Sequence, residues 1–133
     1  MFKKIKEFFR VLGELKYIIP LLKYKFPDPD DNESLAHSFE KTVEEFGNNN
    51  FIFFEDESWS YSETNKAANS LANKLIEDGV THSDRVVLFM ENRPDFIISI
   101  LALNKIGAIG VLINTSLTGK PLIPCINSSD SKK

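Results

Sequence analysis

Thr115-Ser116-Leu117-Thr118-Gly119-Lys120-Pro121 gathers hydroxyls, a glycine and a lysine into seven consecutive residues. Those residue types suit a backbone cradle for phosphate, in which amides wrap the anion and an ammonium offsets its charge. Their spacing does not suit a loop of the Gly-x-x-x-x-Gly-Lys-Ser/Thr kind. Asn114 stands where the first glycine belongs, and Pro121 follows Lys120 where a hydroxyl belongs. Asp28, Asp30 and Asn32 alternate as the ligands of a calcium loop do, but the sixth position is Glu33 rather than glycine and the twelfth is Phe39 rather than glutamate. His37 and His82 are far apart and have no neighbours at ligand spacing. Glu55, Asp56 and Glu57 are adjacent, whereas a working acid and base need separate elements converging on a pocket. Cys125 is the single cysteine, with no base nearby in sequence, which excludes a disulfide framework and a cysteine-based metal site. On these grounds no catalytic, cofactor-binding or metal-ligating residue is assigned within the chain.

The elements that would position such groups begin with a basic head. Residues 1–27 carry Lys3, Lys4, Lys6, Arg10, Lys16, Lys23 and Lys25 against Glu7 and Glu14. That local surplus sits within a net charge of −3, so the rest of the chain is strongly acidic. An acidic body argues against a nucleic acid partner, and a basic head points to an anionic surface. Phe2, Ile5, Phe8, Phe9, Leu12, Leu15, Ile18, Ile19 and Leu22 recur at helical spacing, with the charges on the other face. Pro20 should kink or end this helix. Its apolar run is far short of the roughly 20 residues needed to span a bilayer, and no small-residue cleavage site follows it. Residues 1–26 are therefore expected to lie in a membrane interface, with Phe2, Lys3, Lys4, Ile5, Phe8, Phe9 and Leu12 as membrane-contacting residues. The alternative is an amphipathic helix docked on its own domain.

Residues 27–33, with Pro27, Pro29 and three aspartates, read as an acidic linker to a body at 34–133. Asn32 or Ser34 is expected to cap a helix over 35–46, with Leu35, Phe39, Val43 and Phe46 as its apolar stripe. Phe51–Phe54 and Ser58–Tyr61 alternate as a hairpin around Glu55-Asp56-Glu57. Ser62 is expected to cap the next helix, whose Ala67, Ala68, Leu71, Ala72, Leu75 and Ile76 lead to a stop at Gly79, its alanines suited to close packing on a sheet. Val86–Met90 is an apolar strand of the doubly buried kind. Pro94 opens a helix with Phe96, Ile97, Ile100, Leu101 and Leu103 on its buried face, ending at Gly107. Ala108–Ile113 is a second parallel strand. A closing helix over 119–128 would contain Pro124, at a cost of ~3 kcal/mol if it runs through that residue, or else start at Pro124. A parallel sheet of two strands leaves open edges and uncovered faces, so the body is expected to be an incomplete α/β unit, a hairpin followed by strand–helix–strand. The sequons at Asn32, Asn114 and Asn127 matter only in a secreted chain. The terminal Ser131-Lys132-Lys133 is not a peroxisomal Ser-Lys-Leu signal.

Read in order, Trp59-Ser60-Tyr61, Asn65–Leu75, Gly79-Val80, Asp84-Arg85-Val86-Val87, Glu91-Asn92-Arg93-Pro94-Asp95-Phe96, Lys105-Ile106-Gly107-Ala108 and Ile113-Asn114-Thr115 resemble the start of the adenylate-forming (AMP-binding) synthetases. Asn114-Thr115-Ser116-Leu117-Thr118-Gly119-Lys120-Pro121-Leu122 is similar to the fatty acid transport proteins, or very-long-chain acyl-CoA synthetases. The resemblance implies activation of a long-chain fatty acid with ATP and Mg, transfer to CoA, and support of fatty acid uptake. It also implies that the parts holding ATP and CoA lie beyond a chain of this length. Against the family's Thr-Ser-Gly-Thr-Thr-Gly-x-Pro-Lys, Leu117 replaces the glycine that lets backbone wrap phosphate, and Leu122 replaces the lysine. The expectation is a truncated, inactive chain that holds no cofactor and meets fatty acid only in a full-length form. It would sit on the cytosolic face of the endoplasmic reticulum, peroxisome or plasma membrane, as the resemblance implies. The alternative is a free-standing membrane-peripheral interaction module without catalysis, associating with a full-length homologue.

Overall fold

The computed structural model of the protein describes residues 33–131. The expected head helix over 1–26, its seven membrane-contacting residues and the linker as far as Asn32 lie outside the described residues. Among the described residues the order is α1 (Leu35–Phe46), β1 (Asn50–Phe54), β2 (Glu57–Ser60), α2 (Tyr61–Glu77), β3 (Arg85–Leu88), α3 (Pro94–Lys105), β4 (Ile109–Leu112) and α4 (Leu122–Ser128). Strands β1 and β2 form an antiparallel hairpin, and β3 and β4 form a separate parallel pair in the register Arg85↔Ile109 to Leu88↔Leu112.

Ser34 caps α1, its Oγ accepting from the amide of His37 at 3.1 Å. The buried stripe of α1 is Ala36 and Phe39, while Leu35 and Phe46 are exposed. Phe39 and Val43 of the expected stripe do face the core, whereas Ala36 is buried in place of Leu35. Phe39 meets Phe51 and Tyr61 with ring centroids 5.1 and 5.8 Å apart, and Phe51 meets Tyr61 at 4.6 Å. These tilted contacts fasten the hairpin to α1. The expected second strand ran through Tyr61, but β2 stops at Ser60 and Tyr61 opens α2. The cap is Ser60 rather than Ser62, because Glu63 stands three residues after Ser60 and completes a capping box. The Ser60 amide donates to Glu63 Oε2 at 2.8 Å, and the Glu63 amide donates to Ser60 Oγ at 3.2 Å.

Helix α3 is the hub, with Pro94 in its first turn as expected. Ile98 and Leu101 pack with Phe39 and Ala68, whereas Leu103 packs with Val80, Val86 and Leu88. The alanines of α2 thus allow close approach to a helix rather than to a sheet, and Ala68 is fully buried. Packing on two sides also explains why Ile98, Ser99 and Ala102 are buried beyond the single face expected. Strand β3 buries Val86 and Leu88 on the α3 side, while Phe89 beyond it is exposed, so it is covered on one face rather than two. Pro124 causes no break, because α4 begins at Leu122 and places the proline third in its first turn, where its missing N–H would have no helical partner. Among the described residues no helix is long and apolar enough to cross a membrane.

Candidate functional site

The place where this topology can hold a ligand is the crevice beyond the carboxyl ends of β3 and β4, since the loops of a parallel sheet converge there. After Leu88 the chain turns through Glu91 and Asn92 into Pro94, and after Leu112 it turns through Asn114 and Thr115. These segments border a cavity of about 360 Å³ lined also by Met90, Phe96 and Ile113. Its lining of apolar side chains with two amides, a hydroxyl and one carboxylate suits binding more than bond-making. Among the described residues no three histidine, cysteine or acidic side chains cluster to hold a metal ion.

Asn114 determines what the adjoining Thr115–Pro121 segment can do. Its Oδ1 accepts from the Ser116 amide at 2.9 Å, and its carbonyl accepts from the Leu117 amide at 3.1 Å. This is an Asx turn, the usual answer of asparagine to a chain reversal. The Leu122 amide in turn donates to the Gly119 carbonyl at 3.1 Å, so the amides of Ser116, Leu117 and Leu122 are engaged within the chain. Gly119, at φ 60°, serves the turn into α4. Asn-x-Ser is itself an Asx-turn signal, and it was legible in the sequence at Asn114.

The other candidates are dispersed. His37 is exposed on α1. His82 lies at the amino end of β3, opposite the crevice, its Nδ1 2.7 Å from Ser83 Oγ. This serine–histidine contact joins chain neighbours on an exposed loop whose conformation is held elsewhere. The Ser83 amide donates to the Gly107 carbonyl at 2.8 Å, and Asp84 Oδ2 accepts from the Thr81 amide and hydroxyl. Gly107, at φ 67°, leaves space that the His82 ring fills, since a Cβ there would lie 2.4 Å from His82 Cδ2. Glu55, Asp56 and Glu57 are exposed around the hairpin tip, and Cys125 is half-buried on α4. Of Phe51–Phe54, Phe51 enters the core while Phe53 is 74% exposed.

Two polar fastenings had no local signal. The amide of Ala36 donates to Asn104 Oδ1 at 2.7 Å, across 68 residues. Lys105, with a side chain only 9% exposed, pairs with Glu40 on α1. Both bind α1 to the end of α3 and are structural. Two exposed carboxylates are held below their usual range: Glu33 by a hydrogen bond from Lys41 and then by its charge, and Glu63 by the Ser60 amide and then its hydroxyl.

Comparison with known proteins supplies what the crevice alone does not. Residues 39–132 match the AMP-binding enzyme family. The chain is 36% identical over 91 residues to the very long-chain fatty acid transport protein of Cochliobolus heterostrophus, covering 68% of this chain and 14% of that protein. It is 29% identical over 104 residues to the medium/long-chain-fatty-acid–CoA ligase FadD6 of Mycobacterium tuberculosis, covering 78% of this chain and 17% of the ligase. In fold it resembles the N-terminal subdomain of Klebsiella oxytoca NpsA in complex with anthranilyl-AMSN. That likeness has a TM-score of 0.72 at 22% identity, over 75% of this chain and 26% of that one. The chain thus spans a small share of each of these proteins. With that fold and a family match over most of the chain, the protein belongs to the AMP-binding enzymes.

Proposed function

We propose that residues 33–131 are the opening structural layer of a fatty-acyl-CoA ligase of the fatty acid transport protein type. They build a scaffold for ATP, Mg, CoA and fatty acid sites that other parts of such an enzyme supply. The observation that carries this reading is the family match over 39–132 together with the relatives it brings, a very long-chain fatty acid transport protein and a medium/long-chain-fatty-acid–CoA ligase. The engaged amides of Ser116, Leu117 and Leu122 support a scaffold role for the one glycine- and lysine-bearing loop. The 133-residue chain, incubated with ATP, Mg, a long-chain fatty acid and CoA, is expected to release no pyrophosphate above blank. Release that depends on fatty acid would overturn the scaffold reading.

The basic, phenylalanine-rich residues 1–26 supply a membrane-surface contact on the cytosolic face in the same reading. Their seven cations and apolar stripe support attraction to anionic lipid and burial at the headgroup boundary. Flotation with liposomes containing phosphatidylserine tests this. The chain should rise with the lipid, and a Phe8→Asp, Phe9→Asp variant should remain below. A wild-type chain that stays at the bottom refutes the contact.

A further inference from the structure

We propose that the groove between α1 and α2 binds an extended, basic peptide segment of a partner protein, with Asn69 and Asn73 holding its backbone and Glu40 its cationic side chain. Lys105 lines this groove and Phe96 the crevice, so the two sites lie at opposite ends of α3. What the groove binds is independent of the ligase reading.

Small residues open the groove. The Ser62 amide donates to the Gly47 carbonyl at 3.0 Å, so the end of α1 meets the start of α2 and the two helices run antiparallel. Toward the other end, Ala36 and Ala72 are buried and too short to fill the space between the helices. What remains is a cavity of about 470 Å³, larger than the crevice and of a size that ligand sites have. Glu40 lines it from α1, Asn69 and Asn73 from α2, and Lys105 from the end of α3.

Asn69 and Asn73 stand one turn apart on α2, both exposed, and neither carboxamide is hydrogen-bonded among the described residues. A carboxamide presents an acceptor and two donors, the complement of a peptide unit's N–H and C=O. Four residues of helix advance about 6 Å, and two residues of extended chain about 6.6 Å. The two carboxamides therefore meet alternate peptide units of one extended segment. The charge of that segment follows from Glu40. The Lys105 side chain is only 9% exposed and pairs with Glu40 Oε1, while Glu40 itself is 48% exposed and keeps Oε2 open among the described residues. Lys41 and Lys74, next in sequence to the groove walls, are paired with Glu33 and with Glu77 and Asp78. The open charged atom is thus a carboxylate oxygen, on a chain that is strongly acidic beyond residue 27. That favours a cationic occupant over an anionic one. No phenylalanine, tyrosine or tryptophan lines the groove, which denies a nucleobase its stacking surface. An extended segment bearing lysine or arginine satisfies both carboxamides and the carboxylate together.

The test is fluorescence anisotropy of the whole 133-residue chain with a labelled peptide of alternating lysine and threonine, about eight residues long. Saturable binding is expected. It should weaken at least ~5-fold when Asn69→Ala and Asn73→Ala are combined, and again with Glu40→Gln, in proteins whose urea unfolding matches the parent's cooperativity. The same peptide with every backbone amide methylated keeps its charge and loses its N–H donors, and should bind at least ~5-fold more weakly. Insensitivity to either set of substitutions, equal binding of the methylated peptide, or binding that does not saturate overturns the proposal, since each reduces the effect to general charge attraction.

Discussion

At the scale of single residues, Ser60 and Glu63 show how three positions in the sequence determine an element boundary. Serine followed three residues on by glutamate satisfies two amides at the start of α2, and the strand that would otherwise run into Tyr61 ends there. Ser60→Ala is expected to cost about 1 kcal/mol in urea unfolding. The same pair carries a pH dependence. The folded-state carboxyl of Glu63 is held below its usual range by the Ser60 amide and then the hydroxyl. Its contribution is therefore complete above the unfolded carboxylate range, about pH 4.3, and is lost as pH falls through the lowered folded value. Glu63→Gln keeps a side-chain acceptor at this position but does not titrate. It should lose less stability than the parent between pH 6 and pH 3, and an unchanged acid limb would contradict the assignment. Ser62, the expected cap, is one turn edge too late because it lacks an acid three residues on. Asn65 stands there.

At the scale of elements, α4 shows that a proline is read by position and not by presence. A helix drawn over 119–128 puts Pro124 in its interior, at about 3 kcal/mol. The observed helix begins at Leu122, where the first-turn amides are unpartnered in any case. Pro124→Ala should accordingly change the melting free energy by no more than about 1 kcal/mol, and a gain near 3 would place the proline in a helix interior. Helix α3 teaches the opposite lesson. Its apolar residues were legible, but a single buried stripe was too narrow, since Ile98 and Leu101 serve the α1–α2 core while Leu103 serves β3. Periodicity reports that a helix has an apolar face. It does not report how many neighbours the helix has.

At the scale of the whole molecule, the apolar surface is divided between a closed core and an open sheet. Ala68, Ala102 and Leu103 are sealed around α3, while Ile109 and Leu112 on β4 are 48% and 58% exposed. Substitution should separate the two. Leu103→Ala is expected to cost 2–5 kcal/mol, roughly the range for emptying a packed core site. Leu112→Asp should stay within about 0.5 kcal/mol of the parent, because its side chain is largely in water in the folded chain. Equal losses from the two substitutions, measured by thermal and urea unfolding, would contradict this division. An open parallel β3–β4 pair with α3 packed against it is the part of an adenylate-forming fold that this chain carries, and its family relatives are several times longer than the region matched.

The sequence by itself determined the element types, the hairpin, the strand–helix–strand unit and the family, because local periodicity, caps and ordered short motifs are properties of consecutive residues. The spacing at Thr115–Pro121 departs from that of a phosphate loop, and in the structure the Ser116 amide turns back onto Asn114 Oδ1. Tertiary structure alone decided the burial of Ala36 in place of Leu35, the two-sided burial of α3, and the fastening of Ala36 to Asn104 and of Glu40 to Lys105. Those features depend on contacts between residues tens of positions apart, and no periodicity within a segment encodes which distant segment will meet it.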